Sequence, residues 1–246
     1  MSRQRLLPVI AIAALALLTA CSDDSDDTAT PTVTAPGPTV TATTEPTEPV
    51  ATPTSTGCAA TGEGVPADAQ VTTTIDLDGD GSPDQLWIAD DGGTRTLGVT
   101  TASGATFTHP IDLAGPAGAS AFALRPSAED PGLVLLSDNR VADLLMVQDC
   151  GLVDVTDAEG QPWQFDQGFA GNGTGVGCVD MTGSGELDLV GLNDVDGTIE
   201  RTQITLTGTV AAAGVKDTVT GDTDTAHAIT CGDRTLQADG VHEAAA

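Results

Sequence analysis

Nine residues, Asp76 to Asp84, hold four carboxylates at Asp76, Asp78, Asp80 and Asp84. At loop positions 1, 3, 5 and 9 such groups converge when the backbone coils around one centre, and Gly81 at position 6 permits the sharp turn. The Ser82 carbonyl at position 7 adds a neutral oxygen. A set of hard oxygen ligands suits calcium, and four carboxylates this close repel one another unless a cation sits among them. The loop is not an EF-hand: position 12 is Trp87 instead of a bidentate glutamate, and strands flank it where an EF-hand has helices. A second copy runs from Asp180 to Asp188. There Thr182 and Ser184 replace the acids at positions 3 and 5, so the expectation is a weak ion on Asp180 and Asp188 or an empty, hydrogen-bonded turn.

Other chemistry is thinly represented. The three histidines, His109, His227 and His242, have no serine in a nucleophile-elbow sequence to work with. The glycine-rich stretch Gly171–Gly177 has no lysine and no following helix, so it reads as a loop and not as a phosphate cradle. Trp163, Phe165 and Phe169 gather aromatic surface into seven positions. They are either a packing cluster or a recognition loop that contacts a partner.

The elements that must position these groups are strands. From Val71 to Cys231, short apolar runs with period-2 alternation are broken by Gly, Asp and Asn, and no amphipathic run is long enough for a helix. Candidate strands include Gln85–Ala89, Thr94–Thr100, Leu133–Leu136, Ile199–Leu206 and Thr225–Cys231. The segment after Asp84 resembles the segment after Asp188, each a strand, an Asp/Gly turn and a Thr-rich return strand. Phe122 to Val147 leaves room for a third unit without the acidic loop. The expected fold is all-β, with about three antiparallel sheet units.

The acidic loop with its flanking strands resembles the calcium loops of FG-GAP and VCBS-type repeats, found in integrin α-chain propellers and bacterial surface proteins. That resemblance implies a small or incomplete β-propeller of about three blades. It also implies calcium ligation by Asp76, Asp78, Asp80 and Asp84 through side chains and by Ser82 through its carbonyl.

The other end of the chain speaks to location. Arg3 and Arg5 precede an apolar run, Leu6–Leu18, whose length suits a signal-peptide core and not a permanent span. Leu18-Thr19-Ala20-Cys21 resembles the lipobox of bacterial lipoproteins. The resemblance implies cleavage after residue 20, lipidation of Cys21 and a membrane-anchored protein on the extracytoplasmic face. Residues 21–57 then form a Thr/Pro/Asp-rich tether, 58–240 the β domain and 241–246 a frayed tail.

Composition agrees with export and excludes some partners. The leader holds two of the eight basic residues and none of the 36 acids, so the rest of the chain carries −30. Such a surface repels nucleic acid and anionic headgroups and attracts cations. Four cysteines beyond the anchor, Cys58, Cys150, Cys178 and Cys231, make two disulfides in an oxidising compartment, with three pairings open. Because domain ends often lie close together, the expected pairs are Cys58–Cys231 and Cys150–Cys178. The functional expectation is a surface binding or scaffold module with a structural calcium ion, contacting a protein or cell-wall ligand. The alternative is a calcium-assisted cell-envelope hydrolase that uses carboxylates.

Overall fold

The computed structural model describes residues 57–113, 118–221 and 223–244. All of these belong to one compact unit, Val50–Ala246. The leader, Cys21 and the tether up to residue 56 lie outside the described residues. The described fold is mostly antiparallel β, arranged as three main sheets and one small hairpin, with no closed barrel.

The first sheet runs β1 (Gln70–Thr73), β2 (Gln85–Asp91), β3 (Thr94–Thr100) and β4 (Thr106–Pro110), each pairing with the next. Alternation along β2 sends Leu86 and Ile88 to one face and Trp87 to the other, all buried. Trp87 lies opposite Gly98, and its indole N–H donates to Thr100 Oγ1 at 3.0 Å. A Cβ on Gly98 would stand 2.1 Å from the Trp87 ring, so only glycine lets the ring lie flat on β3.

The middle sheet contains β5 (Ser120–Leu124), β6 (Leu133–Ser137), β7 (Val141–Gln148) and β8 (Gly151–Asp154), with β9 (Gln164–Asp166) pairing off β7. Every residue of β5 and β6 is buried, so both faces of this sheet are covered. Ala121, Ala123, Val134 and Leu136 pack with Leu86, Ile88, Leu97 and Val99 of the first sheet. Phe122, Leu124, Leu133 and Leu135 form a separate cluster with Val176, Cys178, Leu189 and Ile204 of the third. One core thus lies on each side of β5 and β6, and a smaller third cluster of Val190, Leu192, Ile199 and Ala226 lies within the third sheet and the helical turn that follows it. Each such fully buried Leu or Phe contributes about 1.5–3 kcal/mol.

The third sheet comprises β10 (Gly175–Val179), β11 (Asp188–Val195), β12 (Thr198–Thr207) and β13 (Val210–Thr220). After it come α1 (Thr223–Ala226), the hairpin β14 (Thr230–Cys231) and β15 (Arg234–Thr235), and α2 (Leu236–Asp239). The strand expected at Thr225–Cys231 is thus a helical turn followed by two strand residues. The last strand, β16 (Val241–His242), pairs with β5, setting Val241 opposite Ala121.

Two expectations are corrected here. The disulfides are Cys58–Cys150 and Cys178–Cys231, not Cys58–Cys231 and Cys150–Cys178. Cys150 sits in the β7–β8 turn and Cys58 belongs to the first core, whereas Cys178 and Cys231 pack in the second. The doubly buried middle sheet separates the two pairs. The tail from Val241 is not frayed through Glu243. Val241 is buried, and Glu243 receives Arg95 Nε at 2.6 Å, Arg95 Nη2 at 2.7 Å and the Ala119 amide at 2.7 Å.

Candidate metal centre

The acidic loop connects β1 to β2 and is closed at its base by backbone bonds from Thr74 N to Asp84 O, 2.8 Å, and from Asp84 N to Ile75 O, 3.3 Å. Gly79 and Gly81 take positive φ, 80° and 89°, the left-handed conformation that the coil requires. Asp76 gathers the loop by accepting the amides of Gly79 at 2.7 Å and Gly81 at 2.9 Å. Asp78 accepts the Cys58 amide at 2.7 Å, and the Cys58–Cys150 bridge anchors that donor.

Asp84 is fully buried and accepts the amides of Leu77 at 2.7 Å and Ala102 at 3.0 Å. Burial pushes its carboxyl up to about 6; the two amides oppose that shift, and the charges of Asp78 and Asp76 add to it. A cation beside it would reverse this penalty.

One carboxylate oxygen each from Asp76, Asp78 and Asp84 lies within 4.8 Å of the others, so these three can hold a metal ion. Each oxygen carries two lone pairs, so the amide bonds leave acceptor capacity for an ion. An all-oxygen set fits a hard cation. Asp80 is not in this group. Its carboxylate instead accepts the Ser82 amide at 2.7 Å.

Sequence reasoning missed Arg125, whose guanidinium reaches Asp76 at 4.0 Å and the Leu77 carbonyl at 3.3 Å. Arg125 follows β5 much as Asp76 follows β1, so the middle unit offers a cation where its neighbour offers an acid.

The second loop, between β10 and β11, keeps the turn by a different use of its acids. Asp180 accepts the amides of Thr182, Gly183, Ser184 and Gly185, led by Gly185, and these hold its carboxyl below the usual range. Asp188 accepts the Met181 amide at 3.2 Å and, on its other oxygen, Gln203 Nε2 at 2.7 Å.

A third loop of this kind also escaped sequence reasoning. Asp166 accepts the amides of Phe169, Ala170 and Asn172, with Gly171 at φ 78°. Desolvation would raise its carboxyl, but the amides win and hold it low. The interval Asp166, Gly171, Thr174 matches Asp76, Gly81, Asp84, with threonine in the last place.

The aromatic trio divides. Phe165 is a core residue at 5% exposure and meets Trp163 edge-on at 6.4 Å, so it is packing and not a contact surface. Phe169 is 64% exposed at the tip of the Asp166 loop, with the Arg140 guanidinium 4.6 Å above its ring. The histidines are engaged separately: His109 with Asp154 at 3.1 Å, His227 with Asp194 at 3.1 Å, and His242 with the Leu236 carbonyl at 3.1 Å.

No family model, curated protein or solved structure matches this chain.

Proposed function

We propose that this protein is a lipid-anchored, extracytoplasmic binding or scaffold module of the FG-GAP/VCBS kind, with its sheets as the blades of an incomplete propeller. In this reading Cys21 carries the membrane anchor and the acidic loop holds a structural calcium ion. The observation that carries it is the convergence of Asp76, Asp78 and Asp84, with Asp84 buried. A buried carboxylate beside two others is favoured as an anion by positive charge nearby, beyond what its two amide donors and the Arg125 guanidinium at Asp76 supply. The resident ion would offset two of the three negative charges and pin the start of β2 against Cys58. Two disulfides and the low count of basic residues suit the same location.

Partner contact is assigned to the loop that presents Phe169, together with Trp163 at its base. An exposed aromatic held by a hydrogen-bonded loop is preorganised for binding. The test of the calcium assignment is titration calorimetry of the full chain with calcium, repeated on Asp84→Asn. Binding by the parent and none by the variant is expected; no heat from the parent would overturn it. The anchor is tested by radiolabelled palmitate in cells, where Cys21→Ala must lose the label.

A further inference from the structure

A cavity of about 410 Å³ lies between β9 and the face of the third sheet, within the ~300–1,000 Å³ range of small-molecule sites. Its floor is set by register. Val176, Gly191, Thr202 and Lys216 are paired in turn across β10, β11, β12 and β13, so all four point to one face. Val176 is buried in the core, while Gly191, Thr202 and Lys216 line the cavity, with Lys216 exposed at its outer end. Between them Gly191 leaves a slot; a Cβ there would meet only the Phe165 ring, at 3.6 Å. Trp163 forms a wall.

Gln164, Asp166 and Asn193 at this cavity are hydrogen-bonded within the protein, but four other polar groups around it are uncommitted. The indole N–H of Trp163 is buried and has no acceptor. Such donors are rare in native proteins and call for an explanation. Among the described residues, the Asn172 carboxamide, the Thr202 hydroxyl and the Lys216 ammonium take part in no hydrogen bond or ion pair within the protein. Lys216 is the only lysine in the chain, and its neighbour Asp217 is already held by Arg201 Nε at 2.7 Å.

These groups are mixed donors and acceptors beside an aromatic surface, so they match a ligand that is hydroxylated on its edges and apolar on its face. A polyanion is disfavoured by a net charge of −28. We infer that this groove binds a neutral saccharide, stacked against Trp163 and hydrogen-bonded by Asn172, Thr202 and Lys216. The inference deepens the binding-module reading by naming its ligand class, and it rests on that reading.

The full chain, labelled with nitrogen-15, has two indole N–H signals, from Trp87 and Trp163, and Trp163→Phe assigns them. The probes are cellotetraose, chitotetraose and mannotetraose, with tetragalacturonate as the charged arm. At least one neutral tetrasaccharide must shift the Trp163 signal and leave that of Trp87 in place. Asn172→Ala and Lys216→Ala must each weaken that binding about tenfold, with an unchanged thermal midpoint because both side chains are exposed. Gly191→Leu must abolish it by filling the slot. Silence with all neutral probes, a response to tetragalacturonate alone, or full binding by Asn172→Ala and Lys216→Ala overturns the inference. Retention on purified cell wall separates the two readings. A chain that the wall retains while neutral probes leave Trp163 silent keeps the module and loses the saccharide. A chain that is not retained, yet whose Trp163 responds, keeps the groove and loses the wall ligand.

Discussion

The loops Asp76–Asp84 and Asp180–Asp188 have the same length, the same glycine at the sixth place and the same aspartates at the ends, yet they use them differently. In both, the first aspartate ties up backbone amides and makes the turn. The last aspartate is where they part. Both accept a bond on each oxygen, Asp188 from Met181 and Gln203 and Asp84 from Leu77 and Ala102, but Asp84 is fully buried and has Asp76 and Asp78 beside it. Turn formation and charge accumulation are thus separable properties of one motif. The Asp166 loop makes the same point, because it keeps the turn with one acid alone.

Removing the last aspartate from each loop separates the two properties most strongly. Asp84→Ala leaves the Leu77 and Ala102 amides without their acceptor and is expected to cost about 2–4 kcal/mol in urea unfolding. Asp188→Ala, at a half-exposed position with a glutamine partner, should cost about 1 kcal/mol. Equal losses would mean that the loops are energetically alike.

Calcium is expected to sharpen the contrast next. At a hundred times its dissociation constant an ion adds about 2.7 kcal/mol to the folded state. Calorimetric melting should show that gain in the parent and in Asp180→Asn, and none in Asp84→Asn. The converse experiment restores acids to the second loop. Thr182→Asp with Ser184→Asp should add a weak second equivalent of calcium by titration calorimetry, and Gln203→Ala should tighten it by freeing Asp188.

The smallest expected effect serves as a control remote from both loops. Arg95, against the cost of desolvation, holds the Glu243 carboxyl below its usual value of 4.5. Because the folded value is depressed, the stabilisation is complete above that usual value and is lost as pH falls through the folded one. Glu243→Gln should remove about 1 kcal/mol near neutrality and flatten this acid limb, measured by urea midpoints between pH 3 and pH 6.

Much of the fold was legible because the strands are short apolar runs bounded by Gly, Asp and Asn turns. Gln85–Ala89 and Thr94–Thr100 are read from residues whose neighbours point to opposite faces, and the latter matches β3 end to end. β13 was invisible for the opposite reason. It is an edge strand, exposed along most of its length, so Val210–Thr220 carries alanine, glycine and lysine without an apolar rhythm. The tail was misread because Val241 is one apolar residue among polar ones, and its burial depends on a partner over a hundred residues away. The acidic loop was read from spacing, but Asp80 turning aside to Ser82 is decided by backbone geometry. The Asp166 loop had a readable interval but carries one acid alone, and the element it shares with the other loops is the first aspartate and the glycine. Cysteine pairing follows from which core each segment joins, and sequence separation does not report that.

The partnership of β16 with β5 has a consequence for how the chain is made. An inner strand, apolar on both faces, lacks one of its neighbours until Val241 and His242 become available to pair with it. During synthesis this unsealed edge is a template for wrong pairing, and it stays open until residues more than a hundred positions further along the chain emerge. Maturation therefore cannot proceed sheet by sheet from the amino end. The middle sheet is complete only after this stitching step, and a chain stalled short of it is a substrate for chaperones or proteases.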